Sequence, residues 1–437
     1  MKRVLLLKIF VCLVVAAFAI SGTLSAFNPV DEFDEDDLDF GGATVTYVLW
    51  YNPFGAFEEG GDYAGRLDEA KERFNIGSIE LLELPWGDEL RETMTSRLMG
   101  GEADYDVWML PHVQFWPMAA QGALYPLNLI LPEEYYAGLT RSAQEIADVF
   151  SIKDEKYSFG LGGLPTGYFV WNVDLFEREN LTPLDELWEN DEWTWDKMEE
   201  LAIQATRDTS GDGVIDQYGL DETNPIFFLL ANDGRITREI DQERVFTLGE
   251  EQAVYALEKI YEWNEVLEIA DGQWGAPEFI AGNRAMAGLE QWQIEQLPEQ
   301  MEDTFSVVPY PRGPHAERHR FPSSAVEGYF LPASSANPEG LVALHHFLWP
   351  VEEAIEDSEE YYTDISPDRV SYEAFMDGEE NWSGEVYAAE GILGSFWEGD
   401  TPVGSAISSI IWGGESAVSS IEAVNEPAQS LLDDIFK

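Results

Sequence analysis

Three groups of residues in this sequence have the types and spacing to do chemistry. The first is the run Asp208 to Gly219, DTSGDGVIDQYG. Oxygen ligands for a calcium ion would come from Asp208, Ser210, Asp212, the Val214 carbonyl and Asp216. Gly213 stands where such a loop turns sharply, and Ile215 where it packs an apolar residue. The twelfth position lacks the expected bidentate Glu, because Gly219 is there, so Asp221 or Glu222 would have to substitute. The alternative is a glycine-rich turn whose Asp side chains bond to nearby backbone. Any calcium here would be structural. No cofactor is required by the rest of the sequence.

The second group is aromatic and amide-rich. Tyr51 and Asn52 follow Trp50 at the end of an apolar run, Trp86 ends a second, and His112, Gln114 and Trp116 follow a third. Trp171, Asn224, Glu290, Trp292, Tyr329 and Trp397 come later in the chain. Sugars present apolar C–H faces and a rim of hydroxyls, which aromatic rings and amide or carboxylate groups satisfy respectively. Each ring also has a plain reading as core packing. The third group is acidic. Glu83, Glu290 and Glu327 offer carboxylate pairs of the glycoside-hydrolase type, but 84 Asp and Glu make chance pairs certain. No G-x-S-x-G, H-E-x-x-H or Walker A run is present. Adjacent His345 and His346 point to different helix faces. The basic island Pro311 to Arg320 reads as a contact for an anionic ligand or as a solvated loop.

These residues must be held by elements that the patterning supplies. Thr44 to Tyr51 is a near-continuous apolar and β-branched run, as in a strand buried on both faces. Ile79 to Leu84 and Val107 to Leu110 are further strands, separated by helical spacing at Ala64 to Phe74 and Asp88 to Met99. Such alternation gives a parallel sheet in an α/β lobe, which binds ligands beyond the carboxyl ends of its strands. The glycines and prolines around Tyr157 to Asn172 mark a crossover between lobes. Thr194 is a suitable N-cap for a helix from Trp195 to Arg207, and Asn337 caps one that starts with Pro338. Phe279 to Trp292 reads as a helix end, a break at Gly282-Asn283, and a strand leading to Trp292. Gly288, without a Cβ, would let a backbone or ligand approach that strand.

Composition sets limits. The chain has 437 residues, 45% of them hydrophobic and 13% aromatic, enough for two or three well-packed domains. Its formal net charge of −60 excludes nucleic acid and repels anionic membranes. So acidic a chain suits a saline or alkaline habitat, where salt screens its self-repulsion. Residues 1–26 read as a signal peptide: Lys2, Arg3 and Lys8, then an apolar run, then small residues up to Ala26. The run is too short for a confident membrane span. Cys12, the single cysteine, lies inside it and not at its end, so neither a lipid anchor nor a disulfide is expected. Residues 27–42 read as an acidic, mobile leader. A soluble exported protein without an anchor is best retained in a periplasm.

Several of these runs resemble one known family. Phe279 to Trp292 resembles the F-x-x-G-[KN]-x-A-M…W signature of family 1 extracellular solute-binding proteins, the sugar-binding subunits of ATP-binding-cassette importers. Trp171 to Phe176 resembles the family's Y-N-x-D-L-F element, Trp193 to Ala202 its W-[ST]-W-D…A pattern, and Val308 to Pro314 its proline–glycine loop. The resemblance implies a two-lobed α/β periplasmic-binding-protein fold, type II-like, with the ligand cleft between lobes. The expected division is 43–157 with 305–355 for lobe 1, and 158–304 with 356–437 for lobe 2, Val308 to Pro314 forming the second passage. It implies Trp292 as a platform stacked on a sugar, with the loop His112 to Gln114, Tyr51-Asn52 and Asn224 next, then Trp86 and Trp397. The expected molecule is a non-enzymatic monomer. It captures a sugar or oligosaccharide and delivers it to the membrane subunits of an ABC importer. A polysaccharide-processing glycoside hydrolase and a ligand-sensing receptor subunit are the alternatives.

Overall fold

A computed structural model describes residues 27–437 apart from 59, 60, 62, 85–87, 101–104, 161–165, 222, 242, 271, 273–275, 324, 325, 352–360, 383–391 and 394–400. The expected signal peptide, Trp86 and Trp397 therefore lie outside the described residues. No helix among the described residues is long and apolar enough to cross a membrane.

The strands, in chain order, are β1 Thr44–Leu49, β2 Ser78–Glu83, β3 Val107–Pro111, β4 Ser151–Ile152, β5 Glu155–Lys156, β6 Gly167–Asn172, β7 Tyr218–Leu220, β8 Thr237–Ile240, β9 Glu243–Phe246, β10 Arg284–Glu290, β11 Phe305–Val308 and β12 Glu327–Phe330. They build two four-stranded sheets, ordered β12-β3-β1-β2 and β11-β6-β10-β7, and two small hairpins. In the first sheet β1 runs parallel to β2 and β3, while β12 returns antiparallel to β3. In the second, β6 is antiparallel to β10 and β11, and β7 is parallel to β10.

Both sheets are covered on both faces, which is why their central strands read as continuous apolar runs rather than alternating ones. On the first sheet Tyr47, Leu49, Val107 and Met109 pack to one side, against the helix Pro338–Leu348. Val48, Trp108 and Leu110 pack to the other, against Phe115 and Trp116 of the helix His112–Ala120. On the second sheet Phe169 and Trp171 point into one core and Tyr168 and Val170 into another. Burying each such side chain contributes about 1.5–3 kcal/mol.

Three expectations are corrected here. The leader is docked. Asn28 caps the helix Pro29–Glu32, and Phe27, Val30, Phe33, Leu38 and Phe40 pack on the first lobe's core. The Asn337 amide also donates to the Asp37 carbonyl at 2.8 Å. Five apolar anchors set among the acids explain the docking. Next, the assignment of 305–355 to lobe 1 fails at its start, because β11 pairs with β6 in the second sheet. Finally, the loop Val308 to Pro314 is not the passage between lobes. Gly313 N–H donates to the Ala231 carbonyl and Arg312 pairs with Asp191 at 3.1 Å, both on the second lobe. The chain crosses after Phe321, where a Thr166–Ser323 bridge sets it beside the first passage.

Candidate functional site

The carboxyl edges of the two sheets meet at these crossings. In the first sheet β1 and β3 end at Leu49 and Pro111, and β12 begins beside Pro111 with Glu327. In the second, β10 ends at Glu290, opposite Gly167 at the start of β6. Chain topology alone thus brings Trp50, Tyr51, Glu327 and Tyr329 from one lobe toward Glu290 and Trp292 from the other.

Glu290 caps the short helix Gln291–Ile294. Its carboxylate accepts from the Gln293 N–H, while the Gln293 side-chain oxygen accepts from the Glu290 N–H at 3.0 Å. The other carboxylate contact fixes the tryptophan, since Trp292 Nε1–H donates to Glu290 Oε2 at 2.7 Å. Glu290 is itself buried, yet the Trp292 ring is 44% exposed. An anchored, half-exposed indole is a platform and not a core residue.

On the facing lobe the Trp50 indole N–H donates to the Glu327 carboxylate. The Tyr51 and Tyr329 hydroxyls share a hydrogen bond. Tyr329 is buried, backed by His345 at 4.2 Å between ring centroids and stacked on Trp349. Burial drives the His345 imidazole down to about 3, so the group behind Tyr329 is neutral. Tyr51 is 42% exposed as a residue, with its hydroxyl end enclosed against Tyr329.

The electrostatics follow from this enclosure. Burial, with the negative charge of Glu290 adding to it, pushes the Glu327 carboxyl up to about 8, against the opposing Trp50 hydrogen bond. Burial first and the Glu327 charge second raise the Tyr51 phenol. Trp50 and Glu327 were not among the ligand residues the sequence picked out. In the sequence Trp50 is legible as a strand end and Glu327 only as a carboxylate of the acidic group with Glu83 and Glu290. The signal that could have singled out Glu327 is its place at the start of a strand lying against the carboxyl edge of β3.

The remaining candidates divide. His112 is buried, and its Nδ1 accepts from the Val326 N–H at 3.2 Å, one residue before Glu327. Gln114, on the same helix's first turn, is 6% exposed, and neither its amide oxygen nor its nitrogen has a hydrogen-bond partner among the described residues. The side-chain oxygens of Asn52 and Asn224 are committed to capping. Asn52 accepts from Phe54 N–H at 2.9 Å, and Asn224 from Ile226 N–H at 3.0 Å. Trp171 is not a cleft residue: it sits in the second lobe's core with its ring 4.8 Å from Phe176. Trp116 likewise is sealed between Phe115 at 4.9 Å and Phe436 at 5.2 Å. Both strand and helix bury every face at these positions, so no alternation distinguishes ligand side from core side. Gly288 does admit a close neighbour, and it is the Tyr310 hydroxyl, not a ligand.

Of the hydrolase carboxylates, Glu290 and Glu327 approach one another, while Glu83 is exposed at the end of the edge strand β2. The basic island is tied to the second lobe's surface. Arg320 pairs with Asp233 at 2.5 Å, Arg318 with Asn381 at 2.7 Å, and His319 Nδ1 lies 2.8 Å from the Tyr310 carbonyl. It reads as a paired surface loop.

In the loop from Asp208, the carboxylates take loop donors. Asp208 accepts from the N–H groups of Gly211 and Gly213, each at 2.6 Å, and Asp216 from Thr209 N–H at 2.7 Å. These bonds hold both carboxyls below the usual range. No group of three or more His, Cys, Asp or Glu is gathered for a metal among the described residues. In this arrangement the two carboxylates accept from the loop's own donors. A cavity of about 660 Å³ adjoins that loop, lined by Arg178, Glu179, Arg207 and Asn283 among others. It lies at the start of β10, roughly 20 Å along the strand from Glu290. Its arginines are paired with Glu179 at 3.8 and 2.5 Å.

The comparisons with known proteins agree with this architecture. The sequence model of the family described as "Bacterial extracellular solute-binding protein" matches residues 67–348. No curated protein matches the chain by sequence. Among solved structures, an ABC substrate-binding protein from Listeria monocytogenes in complex with cycloalternan is 15% identical, with TM-score 0.64, covering 90% of this chain and 100% of that one. The Thermus thermophilus maltotriose binding protein bound with maltotriose is 16% identical, with TM-score 0.62, covering 88% and 99%. UgpB from Mycobacterium tuberculosis in complex with glycerophosphocholine is 18% identical, with TM-score 0.65, covering 89% and 98%. At these identities the likeness is one of fold.

Proposed function

We infer that this chain, which belongs to the bacterial extracellular solute-binding protein family, captures a sugar or oligosaccharide between its lobes and delivers it to an ABC-type importer. The observation that carries the reading is the anchored pair of half-exposed rings, Trp292 and Tyr51, from opposite lobes, beside buried Glu290. Rings supply the faces on which a sugar's C–H surface stacks, and the carboxylates accept from its hydroxyls. The ligands in the relatives' structures, cycloalternan and maltotriose among them, fit the same chemistry.

Mechanistically the ligand acts by touching both lobes at once. It stabilises the closed arrangement over the open one by its differential contacts, and the closed form docks on the importer's membrane subunits. The protein works outside the cytoplasm, in a periplasm, as a monomer, and makes or breaks no covalent bond. One observation favours the hydrolase alternative, the approach of Glu290 and Glu327 from opposite lobes. A thermal-shift panel of oligosaccharides, followed by an assay for reducing ends, separates the readings. Stabilisation with no new reducing ends is expected. Turnover would make the protein an enzyme.

A further inference from the structure

The carboxyl edge of the second sheet continues past Glu290. β7 runs parallel beside β10, with Leu220 opposite Met286, and the Asp221 N–H donates to the Met286 carbonyl at 2.9 Å. On the other side of β7, Leu220 bridges Ala270, again in parallel, and the Leu220 N–H donates to the Ile269 carbonyl at 2.9 Å. Three segments therefore leave the sheet side by side at one edge. They are Glu290 to Trp292 after β10, Asp221 with Thr223 and Asn224 after β7, and Gly272 after Ala270. The first and the third stand two strand spacings apart, about 10 Å.

The third segment carries a ring. Gly272 has φ +68°, and a Cβ there would lie 2.6 Å from the tip of the Trp412 indole. The indole therefore lies directly on the Gly272 backbone, at a position that suits glycine both for its left-handed conformation and for its missing side chain. Trp412 ends the helix Pro402–Ile411, its N–H donating to the Ser408 carbonyl at 3.1 Å, and Gly414 just beyond it packs against the Tyr261 ring. The backbone on both sides is thus fixed, yet Trp412 is 42% exposed, much as Trp292 is.

The middle segment is polar. Thr223 and Asn264 are both buried, and Thr223 Oγ1 donates to Asn264 Oδ1 at 2.7 Å. Asn264 belongs to a π-helical turn, Glu262–Val266, closed by the Leu267 N–H on the Glu262 carbonyl at 2.8 Å. Such turns shift a side chain out of the regular helical register and recur at functional sites. The bond from Thr223 occupies the amide oxygen, and Asn264 Nδ2 has no hydrogen-bond partner among the described residues. A hydroxyl brought to this edge supplies an acceptor for it.

We propose that Trp412 is a second stacking platform, distal to Trp292, and that the ligand is an oligosaccharide laid along this edge of the second lobe. Sugar faces at its two ends rest on the two indoles, and hydroxyls of the unit between them meet the Thr223–Asn264 pair. A single pyranose on Trp292 does not reach a ring about 10 Å away, and a chain of about three units does. This rests on the sugar-binding reading above and narrows its ligand class to chains.

The test is titration calorimetry of the intact protein with the maltose and cellobiose series, each from disaccharide to hexasaccharide. In the series that binds, affinity should rise with length and level off once the chain spans both rings. Trp412→Ala should cancel that rise, raising Kd for the longest oligomer roughly tenfold. Trp412→Phe keeps an aromatic face and should restore most of it. Affinity that does not rise with length in the unaltered protein overturns the second platform and leaves the sugar-binding reading standing. So does a Trp412→Ala variant that loses nothing, or that loses equally at every length. Failure of every saccharide in a broad panel overturns both.

Discussion

Glu290 earns its place twice, as the cap of a short helix and as the acceptor that fixes the Trp292 indole at 2.7 Å. Because the ring is 44% exposed, it contributes little to the core. Trp292→Ala should therefore leave the melting temperature nearly unchanged and weaken sugar binding by about 1–3 kcal/mol in calorimetry. Unchanged affinity would remove Trp292 from the site. Glu327 gives a pH signature. Its folded value of about 8 lies above the ordinary 4.5 of a glutamate, so between those values the folded state holds a proton that the unfolded chain releases. Stability should fall as pH rises through that window, by at most about 1.4 kcal/mol per unit, and level off above it. Glu327→Gln should flatten this part of the melting-temperature profile, and an identical slope in the variant would argue against the assignment. The sequence exposed Trp292, because it follows a break, a strand and a glutamate. Residue type and spacing alone do not tell Trp292 from Trp171; only the family resemblance ranks Trp292 first. That distinction depends on which strands flank β6, and those partners are remote in the chain.

At the scale of elements, legibility tracked length and continuity. β1, β3 and β10 stand out as apolar runs, and the helix Pro338–Leu348 announces itself through Asn337 and Pro338. The four-residue strands β11 and β12 do not declare which sheet they join. Partner choice is set by crossings remote in sequence, and so β11 pairs with β6 in the second sheet and not in lobe 1, where the expected division has it. Thr194 takes the N-cap position before Trp195–Ala205, but its hydroxyl makes no capping bond. In the Asp208 loop, local spacing suggests an ion, and the same carboxylate accepts from backbone N–H groups of the loop. Asp208→Ala should lower the melting temperature, because it strips three donors of their acceptor. A melt with and without chelator isolates the ion: a fall on chelation reports bound calcium, and coincident melts report the turn alone.

Across the whole molecule, two sheets covered on both faces form stiff halves, and the segments near Thr166 and Ser323 join them side by side. The C-terminal helix Ala417–Phe436 spans both halves at its end. There the Phe436 ring meets Trp116 of the first lobe, and the Arg244 guanidinium of the second lies 5.5 Å from its centroid. Stiff lobes with few connections favour rotation as units over local deformation. A cleft whose rings and carboxylates come from both sides stores its binding energy in the approach of those sides. Small-angle X-ray scattering, with and without the tightest saccharide of the panel at saturation, reads that approach directly. The radius of gyration should fall when the sugar binds. An unchanged radius, with binding verified by calorimetry on the same sample, would contradict capture by lobe closure.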